Sequence, residues 1–206
     1  MSERGVLESL VEALLSDQRD TLAEYFTARG ARLEALEWSP DSTVSDTQQI
    51  SFLIEYWKNL CGDADLPAAD RVSPFDLRPA LGHIVLIDMV DDGWDGQFRL
   101  YGTKVAETYG RDMTGRRVSD IDGGNYISVF FRALYRAACL RRAALYTLHV
   151  PPPHVAVESW QRIMLPLSDP DGRVARFLVS NIAGAWRPPG AVTRPNSLPS
   201  AMFTRA

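Results

Sequence analysis

Apolar positions in the first part of the chain recur at helical spacing. Leu7, Val11, Leu14, Leu22, Tyr25, Leu33 and Leu36 share one face, with Leu10, Leu15 and Phe26 widening it. Gln18 and Arg29 interrupt the stripe, and Gly30 marks a break. Glu8, Glu12, Asp20, Glu24 and Glu34 lie mostly off it. The pattern predicts an amphipathic helical segment over 1–38. Such a stripe cannot stay exposed, so it must dock on its own domain or on another chain.

A turn-rich linker at 39–44 follows. Ser45 with Gln48 three positions on forms a capping box for a second helix, whose face is Ile50, Leu53, Ile54, Trp57, Leu60 and Cys61. Gly62 sits where that helix would be capped. Ser73-Pro74-Phe75-Asp76 predicts a short helix ending by Leu81-Gly82.

From Ile84 the period changes to two. Ile84 to Val90 and Gln97 to Thr103 read as a hairpin around the turn residues Asp91-Asp92-Gly93. Alternation puts Phe98 and Leu100 on one face, Arg99 and Tyr101 on the other. A short helix through Val105, Ala106 and Tyr109 leads to loops at Gly110, Gly115 and Gly123-Gly124. A long helix runs from Asn125 to about Arg142, its inner face Ile127, Phe130, Phe131, Leu134 and Ala138. Three strands follow, near 143–150, 155–167 and 173–182. The residues from 187 to 206 lose periodicity and predict a disordered Pro-rich tail.

Composition narrows the function classes. At 206 residues, 46% hydrophobic and net −4, the chain suits one globular domain with appendages. Its first half is acidic and its second half basic, a balance that fits mutual attraction within one fold better than a nucleic-acid site. Two cysteines, Cys61 and Cys139, are too few for a disulfide framework or a thiolate zinc site. No apolar run reaches a membrane-spanning length of about 18 residues, so no membrane insertion and a cytoplasmic location are expected.

The ordered elements, two strands, a helical crossover and three more strands, resemble a PAS domain. The residues that carry the likeness are Tyr56-Trp57, Leu60, Pro67, Pro74, Leu77 and Leu81, then Phe98-Arg99 and Tyr101-Gly102-Thr103. Gly110, Asp112, Thr114-Gly115, Glu158, Leu165-Pro166-Leu167-Ser168 and Gly172 complete the set. The chain is similar over about 50–182 to a bacterial family of mostly stand-alone PAS-like signalling proteins. The resemblance implies an α+β fold over 45–186, with a five-stranded antiparallel sheet and crossover helices; the N-terminal helical extension and the tail lie outside the likeness. It also implies a sensory or regulatory role rather than a defined reaction.

Within that fold the expected ligand pocket is lined by Phe98, Leu100, Tyr109, Phe130, Leu134, Phe177 and Val179, against the plain alternative that these side chains simply fill the core. No cofactor is expected. The long helix lacks a His to ligate haem, and 102–117 lacks the Cys of a covalent flavin photosensor. His149, His154 and Glu158 have metal-ligand chemistry, but Pro151–Pro153 separate the histidines, and a polar hairpin end is the simpler reading. Cys139 near Arg136 and Arg142 could be a redox-responsive thiol or merely a small buried residue. Asp112 and Thr114 read as a local turn.

No nucleophile–base motif or phosphate loop is present, so an enzyme is not expected. The favoured function is regulation through protein–protein contact, with the N-terminal helix as homodimer or partner element and a small apolar ligand as the possible signal. The alternative is a small-molecule-binding α+β enzyme of unknown reaction, working through Asp112 or Glu158.

Overall fold

The computed structural model describes residues 2–121 and 126–188. Of the tail expected at 187–206, residues 189–206 lie outside them, as does the Gly123-Gly124 loop. The elements in order are α1 (Glu3–Leu15), α2 (Arg19–Thr27), β1 (Arg32–Trp38), α3 (Gln48–Cys61), β2 (Ile84–Val90), β3 (Asp95–Tyr101), α4 (Thr103–Tyr109), α5 (Tyr126–Arg141), β4 (Leu145–Val150), β5 (Trp160–Ser168) and β6 (Val174–Ala183). The strands form one antiparallel sheet of order β1-β4-β5-β6-β2-β3.

The N-terminal segment departs from the expectation. It is two helices and a strand, and the break falls at Ser16–Gln18, where Asp17 takes a φ of 53°. Gly30, at φ 69°, instead makes the turn into β1. Arg32–Trp38 had fitted the helical stripe because Leu33 and Leu36 suit either period and Leu-Glu-Ala-Leu-Glu favours helix. Pairing with β4 from Arg32↔Val150 to Trp38↔Leu145 overrides that preference and adds a sixth strand to the expected five.

The apolar stripe of α1 is buried within the chain, against α5: Leu7, Leu10, Val11, Ala13 and Leu14 are all covered. At gross values of about 1.5–3 kcal/mol for each large apolar side chain, this contact is a major part of the fold. Tyr25 of α2 donates a 2.8 Å hydrogen bond to the Tyr126 carbonyl, and Arg132 of α5 pairs with Glu3 at 2.6 Å.

The sheet has two covered faces. On the outer face α3 packs Ile50, Leu53 and Ile54 against Ile84, Tyr146, Ile163, Leu165 and Leu178. The inner face, with Val85, Ile87, Phe98, Leu145, Met164, Phe177 and Val179, is covered by α1, α2, α4 and α5. Two local expectations are corrected. Helix α3 starts at Gln48, and Ser45 donates to Gln161 Oε1 at 2.5 Å instead of closing a capping box. Ser73–Asp76 is a turn followed by a 3-10 helix at Arg78–Ala80. No helix among the described residues is long and apolar enough to cross a membrane.

Candidate functional site

The inner face does not close everywhere. At the end where β4, β5 and β6 emerge from beneath α5, a partly open cavity of about 110 Å³ remains. That is less than the ~150 Å³ cavity that encloses a benzene ring, but this space is partly open, so a small organic molecule can sit in it and extend through the mouth. Its wall is aromatic and aliphatic, with Phe98, Tyr101, Val105, Tyr109, Trp160 and Trp186 among its lining. Its floor is polar: His149 from β4, Arg162 from β5 and Asn181 from β6.

Strand register explains that floor. Arg162 stands opposite Asn181 across the β5–β6 pair, and Thr147 stands opposite Arg162 across β4–β5. A row of polar side chains therefore crosses the inner face. Arg162 is only 7% exposed. Its Nε donates to Asn181 Oδ1 at 2.7 Å, and its guanidinium lies 3.2 Å from the Phe131 ring centre. One terminal nitrogen of Arg162, NH1, is buried without a hydrogen-bond partner, as is Nδ1 of His149.

The protonation states follow from burial. His149, 3% exposed, is pushed down to about 3, first by desolvation and then by the Arg162 charge, and is neutral at physiological pH. Burial also lowers Arg162, with Tyr101 and Tyr135 opposing, yet a guanidinium keeps its charge. Burial pushes the Tyr135 phenol up to about 12 and raises Tyr101 as well, so both are neutral donors.

The cavity mouth is a loop over 151–159, held by the chain that follows β6. Arg187 donates to the carbonyls of Pro152 at 2.8 Å, Pro151 at 3.1 Å and Val155. Backbone bonds link Glu158 to Ala185 and Arg187 to Ala156, each at 2.8 Å.

Of the residues expected in the pocket, Phe98 and Tyr109 line it. Phe130, Leu134, Phe177 and Val179 are fully buried in close-packed core. Phe130 stacks edge-on to Phe26 at 4.6 Å, and Phe177 lies 5.2 Å from Tyr135. Leu100 is outside, 44% exposed on the outer-face side with Leu81 and Leu86. A bulge explains the swap. Leu86 pairs with Leu100 but Ile87 pairs with Phe98, so Arg99 is an extra residue and the alternation skips a step. Leu100 turns outward and Tyr101 turns into the cavity.

Sequence reasoning singled out neither Arg162 nor Asn181. The available signal was parity: Trp160, Arg162 and Met164 share one face of a strand that is otherwise apolar there.

The other candidates resolve as structure. Asp112 Oδ1 accepts from the Thr114 amide at 2.8 Å and its hydroxyl at 2.7 Å, a local turn that holds the carboxyl below its usual range. Burial pushes the Cys139 thiol up to about 12, the reverse of a reactive thiolate. His149 and His154 do approach the same cavity, but no group of three or more metal-ligating side chains exists among the described residues.

A PAS domain profile matches residues 45–180, two thirds of the chain. The chain belongs to the PAS domain family. Comparison with curated proteins and with solved structures finds no match. The matched residues run from α3 to Ser180 within β6, while α1, α2 and β1 precede them. Asn181 and Trp186, both at the cavity, lie just past their end.

Proposed function

We propose that this chain is a sensory PAS module that acts in signal transduction through protein–protein contact and is gated by a small ligand in the inner-face cavity. The family carries the general sensory and regulatory role. The cavity carries the ligand: it combines an aromatic wall with a few convergent polar groups, the usual make-up of a small-molecule site. The arrangement favours binding over turnover. Asp112 is engaged in its own turn and Glu158 is exposed, and neither carboxylate lines the cavity.

Contact with a second copy or a signalling partner through the N-terminal helices would use their outer face, where Glu8, Glu12 and Glu24 are exposed, because the apolar stripe is already buried. Native mass spectrometry of the purified protein, set against the denatured sample, tests the ligand. A non-covalent adduct is expected in the native form alone. Ala156→Trp, at the mouth, should abolish ligand-induced stabilisation while the unliganded protein melts nearly as before. An undiminished ligand response in that variant would count decisively against the cavity.

A further inference from the structure

We infer that the cavity is built for a small monocarboxylate with an apolar or aromatic body, its carboxylate held by Arg162 and His149. This rests on the ligand-binding reading above and adds the chemical class.

Arg162 is a buried cation with no anion. Among the described residues no carboxylate lies within 4.0 Å of it, whereas Arg176 pairs with Asp88 at 2.5 Å and Arg132 with Glu3 at 2.6 Å. Taking a guanidinium out of water is costly unless an opposite charge accompanies it. Asn181 satisfies Nε and Phe131 covers one face of the guanidinium, which together fix its plane, while NH1 is buried with no partner in a side chain that lines the cavity. A planar, oriented guanidinium with an unsatisfied N–H edge is the geometry that recognises a carboxylate, which a small shift of the surrounding side chains would bring into contact. His149 lines the same space with an unpaired Nδ1, and in the tautomer protonated there it donates a second hydrogen bond.

The charge count selects a monoanion. Arg162 is the single buried cation at the floor, His149 is neutral, and Arg187 is committed to three backbone carbonyls at the lip. A dianionic phosphate would be undercompensated. The rest of the ligand meets Phe98, Tyr101, Tyr109 and Trp160, and the partly open space lets a body of about one ring extend through the mouth.

The experiment uses the full chain and four probes: phenylacetate, hexanoate, the neutral isostere phenylacetamide, and inorganic phosphate. Affinity is read by calorimetry and by the shift in melting temperature, for the wild type, Arg162→Met and Arg162→Lys. In the wild type, phenylacetate should bind at least about tenfold tighter than phenylacetamide, the scale of one charge-assisted hydrogen bond. Arg162→Met should lose that preference while still taking up phenylacetamide, and Arg162→Lys should retain part of it. The wild-type comparison of acid with amide holds even if a variant fails to fold.

Equal binding of acid and amide by the wild type would overturn the carboxylate and leave a ligand-binding cavity. Stabilisation by phosphate matching that by phenylacetate would overturn the apolar body. Binding of none of the four would overturn both this inference and the ligand reading beneath it.

Discussion

Two regions of the inner sheet face share strand β6 and differ in almost everything else. Along the middle of β2 and β6, the face is Val85, Ile87, Phe177 and Val179, fully buried with Leu134. At the strand ends where β5 begins and β6 finishes, the same layer carries Thr147, Arg162 and Asn181, and there the cavity opens. Apolar side chains under a long helix pack to crystal-like density and leave no room. A row of polar groups with incomplete partners cannot be sealed that way. In this protein the cavity lies where the core stops being hydrophobic.

That contrast can be broken in measurable ways. The largest effect belongs to the close-packed core between α5 and α2. Phe130→Ala removes a ring held between Phe26, Tyr25 and Phe131, and should cost about 3–5 kcal/mol of unfolding free energy. Chemical denaturation checks this, and a loss under 1 kcal/mol would mean the region is not close-packed.

The cavity end answers to pH instead. The unfolded chain titrates His149 near its ordinary value of 6.5, whereas the folded chain holds it at about 3. Below pH 6.5 the unfolded state therefore takes up a proton that the folded state refuses. Stability is fully present above that pH and is lost as pH falls toward 3. Between pH 7 and pH 5 the loss from this one group is about 2 kcal/mol. His83 and His154 are shifted in the same direction, so the contribution is isolated by comparison with His149→Gln, which should lose less over the same interval. Parallel pH profiles for the two proteins would refute the assignment.

The smallest effect is expected at Leu100. Its side chain is exposed on the far side of the bulge, so Leu100→Ala should change stability by no more than about 0.5 kcal/mol and leave ligand binding unaltered. A large loss of binding would restore Leu100 to the cavity and remove the bulge from the account.

The same contrast sets what was legible in the sequence. Helices α3 and α5 and the β2–β3 hairpin follow from period and punctuation, because their apolar faces meet a core at the expected spacing. The PAS element order follows from those elements. Residues 32–38 did not declare themselves as a strand, since Leu33 and Leu36 satisfy both periods and only the partner β4 decides between them. Tyr101 was assigned to the wrong face because one extra residue, Arg99, inverts the alternation without any proline or glycine to announce it. Arg162 was passed over for a related reason. A charged residue in a strand reads as solvent-facing until the pairing shows that both faces of β5 are covered.

The Arg187 contacts have a mechanical consequence. Its guanidinium grips the carbonyls of Pro151, Pro152 and Val155, and its own backbone amide is tied to Ala156. Arg187 also lies only four residues past the end of β6 at Ala183. The rim of the cavity and the chain that leaves β6 are thus one mechanical unit, tied through a single side chain and its own amide.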